Sequence, residues 1–383
     1  MKRTSWFILL LILSTKPFAQ SNSGYHYTIP PQFEDGLKVA SLSEVGIDSN
    51  KIIELTDSIL SGYYTNVHSL LIIRHNKLVY ENYFPGEDEF FTQKLGVVNH
   101  TRDSLHDCRS ISKSVVSACV GIAIGQGKIK SVNEKIFTYL PEYARYDTGM
   151  KKDITIKDLL TMSSGIEWNE MIPYMDSANS ERKIGEQIDP VKYYLSQRII
   201  SKPGTVWNYS AGCTYTLAAI IKKATGLDID KFAKQNIFDP LGISSFVWLK
   251  RDNGLPYAPA GLRLRSRDMA KFGSLYLTQG KWKNKQIIPK AWTEESFKFQ
   301  ITIERFRGYC YQFWGYSGPD DVIDEQITKT IQAEGRGDQR IFVNNQYDFL
   351  VVMTAGNYSQ HPKQGRAPDD AFVKYIYPAI KPN

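Results

Sequence analysis

Apolar residues cluster near both ends of the chain in the pattern that β-hairpins show. Residues 69–84 are largely apolar and are interrupted only by the polar turn at residues 75–77. Residues 340–354 repeat the pattern around a polar turn at residues 344–348. We therefore predict two hairpins, and strands at both ends with helical sequence between them indicate one sheet built from the two ends.

Helical periodicity dominates the rest of the chain. Asp48 precedes apolar residues at helical spacing over 52–60, with Gly62 as a stop. Three further helices are predicted: a long apolar one up to about Ile124, one over 214–225 that stops at Gly226, and a terminal one over 369–380.

The N-terminus has the layout of a secretory signal peptide. The apolar run 6–13 follows Lys2 and Arg3 and is too short to span a membrane. No cysteine comes directly after this run, so the acylated cysteine of a lipoprotein is not expected. We therefore predict that residues 1–20 are removed and that the protein is periplasmic or secreted. Residues 21–40 are polar and proline-rich, and are expected to form an irregular leader.

Composition excludes several function classes. The formal net charge of +7 falls to +4 once Lys2, Arg3 and Lys16 are removed, and the basic residues are dispersed, so we expect no nucleic-acid partner. The four cysteines are irregularly spaced and are expected to be free and buried. The six histidines form no His-Glu-x-x-His pattern, so we predict neither a metal site nor another cofactor.

The best candidate for chemistry is Ser110 with Lys113, at the start of the long apolar helix. A spacing of three places both side chains on one helical face. A serine becomes a nucleophile when a neighbouring base takes its proton, and a lysine can be that base if burial and positive charge, such as that of Arg109, lower its pKa. The spacing alone is weak evidence, because Ser180 and Lys183 share it in a polar stretch that is typical of a solvated loop.

Two other segments strengthen the Ser110 candidate. Tyr209 lies in a turn before the helix 214–225, and residues 333–339 lead into the second hairpin. With Ser110-x-x-Lys113, Tyr209-Ser210-Ala211 and Arg336-Gly337-Asp338 in this order, the chain resembles the penicillin-recognising serine hydrolases. These are the class C β-lactamases, DD-peptidases, family VIII esterases and nylon-oligomer hydrolases.

The resemblance implies a fold and a domain plan. The fold is an α/β (α+β) sandwich of the β-lactamase/transpeptidase type, with a central antiparallel sheet flanked by helices. The hydrolase domain would cover residues 41–383. A helical lobe at about 136–261 would be inserted between the sheet-forming parts 41–135 and 262–383.

The resemblance also implies roles for individual residues. Ser110 would attack a carbonyl, and Lys113 and Tyr209 would pass its proton to the leaving group. The backbone N–H groups of Ser110 and Gln339 would form the oxyanion hole. Tyr174 lies in the loop 167–190, which is expected to fold over the cleft.

Three positions depart from the family pattern. Ala211 replaces an asparagine whose amide holds the substrate, and Arg336 replaces a lysine or histidine. Asp338 replaces a glycine, and its charge would repel acidic substrates or pair with Arg336. Gly337 is the middle residue of this motif and is expected to belong to the substrate-binding strand.

These departures favour hydrolysis of an ester or small amide by an acyl-enzyme route. A β-lactamase or DD-carboxypeptidase acting on cell-wall peptides is the first alternative, and a non-catalytic protein that binds cell-wall fragments is the second. The expected partner is a small-molecule or short-peptide substrate. A Ser-His-Asp hydrolase is disfavoured because residues 315–319 only approach the Gly-x-Ser-x-Gly elbow.

Overall fold

The computed structural model describes residues 24–304, 307–315, 330–358 and 367–380. The predicted signal peptide lies outside these ranges, so export stays a prediction. Within them, no helix is both long enough and apolar enough to cross a membrane. All four cysteines lie within them, and each is free and buried.

The strands account for the sheets of the described chain. They are β1 (Lys38–Val39), β2 (Val67–Arg74), β3 (Lys77–Tyr83), β4 (Pro85–Phe90), β5 (Gln93–Asn99), β6 (Leu105–Asp107), β7 (Val247–Trp248), β8 (Leu262–Arg265), β9 (Lys281–Trp282), β10 (Lys285–Gln286), β11 (Ile301–Glu304), β12 (Arg307–Tyr309), β13 (Trp314–Gly315), β14 (Thr330–Gly335), β15 (Gln339–Asn344) and β16 (Phe349–Ala355).

The central sheet of the described chain has nine strands in the order β1-β3-β2-β16-β15-β14-β13-β12-β11. Every neighbouring pair is antiparallel except the short β1–β3 pair at the edge. Leu350 of β16 pairs with Ile73 of β2, which joins the two predicted hairpins in one sheet. His75 and Asn76 both have positive φ, as a tight turn between β2 and β3 requires.

The helices surround this sheet. They are α1 (Ser49–Leu60), α2 (Ile111–Gly125), α3 (Ile156–Leu160), α4 (Ser180–Gly185), α5 (Pro190–Ser196), α6 (Ala211–Thr225), α7 (Ile229–Ala233), α8 (Ser266–Leu277), α9 (Lys290–Glu295), α10 (Ala367–Ala371) and α11 (Tyr377–Ala379), with a π-helical turn over Phe372–Ile376. The Asp48 side chain caps α1 by accepting from the Asn50 N–H, as the sequence predicts.

The sheet has a hydrophobic core on each face, because its central strands alternate their side chains. On β2, Leu71 and Ile73 pack into the core that contains α2, α6 and α8. Leu70 and Ile72 pack into the other core, with α1 and the C-terminal helices. This arrangement is the helix-flanked antiparallel sandwich that the sequence predicts.

A second, three-stranded sheet positions the start of α2. Strand β8 pairs with both β6 and β7, and Asp107 of β6 lies opposite Arg263 of β8. Between β6 and β8 the regular elements of the described chain are helices, joined by loops, apart from β7 and isolated bridges. Ser110 therefore lies at the point where the sheet ends and the helical segment begins.

Candidate active site

A tight turn places Ser110 immediately before α2. The turn is anchored by the Cys108 N–H, which donates to the Leu262 carbonyl at 2.9 Å. Arg109 has a φ of 49°, a left-handed conformation that is uncommon for a residue other than glycine. Strained backbone of this kind clusters at functional sites.

The backbone around Ser110 leaves one donor free. The N–H groups of the next residues are used within the turn, and the Lys113 N–H donates to the Ser110 carbonyl at 3.0 Å. Among the described residues, none accepts a hydrogen bond from the Ser110 N–H. This N–H stands at a helix N-terminus, where unpaired donors and the helix dipole favour negative charge.

Lys113 lies beneath the nucleophile. Its Nζ donates to Ser110 Oγ at 2.9 Å and to the Pro259 carbonyl at 3.3 Å. The side chain is only 1% exposed, whereas Ser110 is half-buried and open to a substrate. The predicted pairing of these two side chains is therefore present in the fold.

Tyr209 reaches the same point from the turn before α6. Its ring centroid lies 4.9 Å from Lys113 Nζ, and its hydroxyl is near enough to Ser110 and Lys113 for both to lower its pKa. The ring stacks on Trp314 with centroids 5.4 Å apart. Burial raises the pKa of the Tyr209 hydroxyl, and the charge of Lys113 opposes that shift. The structure thus brings Ser110, Lys113 and Tyr209 together.

A fourth side chain, Glu170, was missed by the sequence analysis. Its Oε1 lies 4.0 Å from Lys113 Nζ, and its side chain is 4% exposed. Its Oε2 accepts from the Trp168 indole N–H at 2.7 Å and from the Ala211 N–H at 2.6 Å. Glu170 therefore accepts from one of the backbone N–H groups that have no partner within α6 at its N-terminus, where the Ser210 side chain makes no cap.

The pKa of the Glu170 carboxyl is raised from its ordinary 4.5 to about 7. Burial is the largest cause, and the negative charge of Glu181 adds to it. The positive charge of Lys113 acts in the opposite direction. Glu170 is therefore an acid–base group that titrates near neutral pH beside the nucleophile's partner.

The pKa of Lys113 departs from the sequence-based expectation. Burial lowers it, but Tyr209 and the acidic residues Glu170 and Glu181 together raise it, and the net shift is upward. Arg109 does not supply the expected positive charge, because its guanidinium turns away to Glu89 at 2.9 Å and Asp107 at 3.2 Å. Lys113 is therefore an ammonium ion in the resting site.

The third predicted motif lies in the turn between β14 and β15. Arg336 donates from Nε to the Tyr358 carbonyl at 3.1 Å, and Gly337 has a φ of 87°. Asp338 accepts from Asn357 Nδ2 at 2.9 Å, and no ion pair joins it to Arg336 in the described chain. The carboxylate that replaces the family's glycine is thus satisfied by a hydrogen bond from Asn357.

Gln339 is fully buried at the start of β15. Its side-chain amide donates to the carbonyl groups of Gly337 and Ala355, which braces the hairpin from within. Gln339 pairs with Gly335 across the ladder. A Cβ on Gly335 would lie 2.3 Å from the Cys108 carbonyl oxygen, so this end of the hairpin abuts the nucleophile turn. Glycine is required there by close backbone approach.

Tyr174 and Ala211 occupy different sides of the site. Tyr174 is half-buried, with the Arg336 guanidinium 5.6 Å from its ring centroid. Ala211 is fully buried, and its N–H is used by Glu170. The loop from Glu167 thus contributes both an aromatic ring near the third motif and a carboxylate near Lys113.

The second Ser-x-x-Lys pair has no such surroundings. Ser180 and Lys183 lie on the short helix α4, and the expectation of a loop there was wrong. Ser180 Oγ accepts from the Asn169 N–H at 2.9 Å, and Lys183 is exposed. Residues 316–319 of the Gly-x-Ser-x-Gly near-match lie outside the described residues.

Comparison with known proteins identifies the family of the chain. The Beta-lactamase family model matches residues 65–373. The 6-aminohexanoate-dimer hydrolase of Paenarthrobacter ureafaciens is 24% identical over 216 residues, which cover 50% of this chain and 50% of that protein. The chain thus matches about half the length of this curated relative.

Two solved structures share the fold. EstCE1, a hydrolase with promiscuous acyltransferase activity, superposes with a TM-score of 0.65 at 15% identity, covering 85% of this chain and 98% of that one. The octameric penicillin-binding protein homologue from Pyrococcus abyssi gives a TM-score of 0.62 at 17% identity, covering 85% and 77%. Since the family model spans most of the chain, the protein belongs to the Beta-lactamase family of serine hydrolases.

Proposed function

We propose that the protein hydrolyses an ester or a small amide through an acyl-enzyme on Ser110. The observation that carries this proposal is the contact of Lys113 Nζ with Ser110 Oγ at 2.9 Å in a buried site that also holds Tyr209. A nucleophile within hydrogen-bond reach of a base is the arrangement that covalent catalysis needs.

In the acylation step, Ser110 Oγ bonds to the substrate carbonyl carbon and its proton passes to Lys113. The bond to the leaving group then breaks, and the proton reaches the leaving atom through the Tyr209 hydroxyl. The backbone N–H of Ser110 is one donor to the oxyanion. The backbone N–H of Gln339, at the end of the hairpin beside Gly335, is the second. Water then attacks the acyl-enzyme, releases the acid and restores Ser110.

Lys113 must lose a proton before it can take one from Ser110. Glu170 is a suitable acceptor because its Oε1 lies 4.0 Å from Lys113 Nζ and its pKa is about 7. Transfer of one proton from Lys113 to Glu170 gives a neutral amine beside Ser110 and a neutral carboxyl group in the buried site. We assign Glu170 as the residue that sets the protonation state of Lys113.

This role predicts a pH profile. Activity requires the Glu170 carboxylate, so kcat/KM should rise with pH through an apparent pKa of about 7. The Glu170→Gln variant keeps the shape but cannot take a proton. We expect kcat/KM at pH 8 to fall by about 10²-fold and the limb near pH 7 to disappear.

Glu167→Gln is the matched control, because Glu167 lies in the same loop, is exposed and, among the described residues, forms an ion pair with Arg198 alone. Its pH profile should match that of the wild type. A Glu170→Gln variant that kept the limb near pH 7 would show that another group is responsible.

The substrate class follows from Ala211. Its methyl group offers no hydrogen bond to a substrate amide, and its N–H already donates to Glu170. Lactams and peptides that depend on an asparagine amide lose that contact, whereas a reactive ester or small amide needs mainly the nucleophile and the oxyanion donors. In support, the relatives of this chain include one named a 6-aminohexanoate-dimer hydrolase and one named a lovastatin esterase.

A panel of substrates tests this assignment. The mature protein should be assayed with p-nitrophenyl esters, short linear amides, nitrocefin and D-alanyl peptides, and the kcat/KM values compared. We expect the esters and small amides to exceed nitrocefin and the peptides. Preference for nitrocefin or D-alanyl peptides would identify a β-lactamase or DD-carboxypeptidase, and no turnover of any substrate would favour a binding protein.

A further inference from the structure

Four buried side chains converge outside the catalytic site. One potential ligand atom from each lies within 4.8 Å of the others, and the set, here called the histidine cluster, is His68, Asp88, His100 and His106. They come from β2, β4, the segment after β5 and β6. Because the four residues are far apart in sequence, no short motif indicates them.

Four ring nitrogens of the histidine cluster are buried without a hydrogen-bond partner among the described residues. Both ring nitrogens of His100, Nδ1 of His68 and Nε2 of His106 are buried without a partner in the described chain. Buried polar atoms without partners are rare and costly. Asp88 Oδ2 lies 4.0 Å from His100 Nε2, which is too long for a hydrogen bond.

The backbone holds His68 in a form suited to metal binding. Its Nε2–H donates to the Glu87 carbonyl at 3.0 Å, which leaves the lone pair on Nδ1. Metal-binding histidines commonly donate their other ring N–H to a carbonyl in this way. Gly86 and Gly356 both approach the ring closely, and a Cβ on either would lie 2.8 Å from it.

We propose that the histidine cluster binds one divalent transition-metal ion, for which zinc is the best match. Three imidazoles and one carboxylate are ligands that zinc prefers, and four protein ligands form a closed, structural site. Zinc–nitrogen bonds of about 2.0–2.1 Å place tetrahedral ligands about 3.3 Å apart. The His68 and His100 rings are stacked with their centroids 3.8 Å apart, so both rings and Asp88 must turn for the four lone pairs to converge on the ion.

The electrostatics of the histidine cluster suit a cation. The rings of His68 and His100 are buried, which disfavours a positive charge on them and favours the neutral imidazole that binds a metal. A divalent ion would also offset the buried negative charge of Asp88. His106 precedes Ser110 by four residues, so the ion would tie β2 and the β4–β5 hairpin to the strand that leads into the nucleophile turn.

Metal content is the direct test. The full chain should be expressed in zinc-supplemented medium without a histidine tag, passed through gel filtration and analysed for bound metals. We expect one zinc per chain in the wild type. After removal with a chelator, added Zn²⁺ should raise Tm by about 4 °C, and Co²⁺ should give the visible absorption of a tetrahedral site.

Two substitutions and two controls locate the metal. Asp88→Asn removes the charge at constant shape, and His100→Phe keeps a ring against His68, so both should fold but lose the zinc and the Tm response. His75→Ala removes an exposed histidine and should keep one zinc, as should Ser110→Ala, which separates this site from catalysis. Trace zinc in the wild type with no Tm response, or equal zinc in Asp88→Asn and His100→Phe, would overturn the proposal.

Discussion

Ser110→Ala is expected to reduce kcat on the best ester of the panel by about 10⁶-fold, the size of effect that follows loss of a covalent nucleophile. The physical reason is that Ser110 Oγ accepts a hydrogen bond from Lys113 Nζ at 2.9 Å and is also open to a substrate. The methyl group fits the half-buried position, so Tm should change little. Steady-state kinetics and a thermal melt together measure both quantities.

Ser180→Ala is the matched control, because Ser180 has a lysine at the same spacing on α4 and its Oγ accepts only from the exposed Asn169 N–H among the described residues. Its turnover should equal that of the wild type. Ser112 is unsuitable as a control because its Oγ accepts from the buried Leu262 N–H. Substantial turnover by Ser110→Ala would contradict the proposed acyl-enzyme on Ser110.

Lys113→Met is expected to lower kcat by about 10²- to 10⁴-fold while KM changes little, since Lys113 moves a proton and does not hold the substrate. Methionine keeps most of the buried volume. The substitution leaves Glu170 without its cation, and breaking a buried pair costs roughly 3–5 kcal/mol when the remaining group stays charged.

The stability of Lys113→Met should depend on pH. The pKa of Glu170 is already raised to about 7, and loss of Lys113 raises it further, so the folded protein holds a proton that the unfolded chain releases above about pH 4.5. The Tm deficit should therefore be small at pH 5 and grow as the pH rises to 8. Adding Glu170→Gln should restore Tm at pH 8 but leave kcat low. Recovery of kcat in the double variant would show that Lys113 acts only through stability.

The sheet and its hairpins were predictable because their sequence pattern is local. Residues 69–84 and 340–354 form β2–β3 and β15–β16, and the turn and cap residues at His75 and Asp48 act as expected. Strand β14 was not predicted as a strand, since its residues Thr330–Gly335 mix polar and apolar side chains that pairing on both sides accommodates.

The site was predictable only in part, because some of its contacts are local in sequence and others join residues far apart in the chain. Ser110 and Lys113 are on one helical turn, so their contact follows from spacing. Glu170 contacts Lys113 and Ala211 across long sequence separations, and an acidic residue in a polar loop gives no signal of burial. The direction of Arg109 and the upward pKa shift of Lys113 depend on such distant partners as well.

Covalent labelling tests directly whether Ser110 is the nucleophile. The mature protein should be incubated with a fluorophosphonate probe, digested and analysed by mass spectrometry, with Ser110→Ala and Ser180→Ala treated in parallel. We expect one label on the peptide that contains Ser110, present in Ser180→Ala and absent in Ser110→Ala. A label on a different serine, or no label at any pH between 6 and 9, would contradict it.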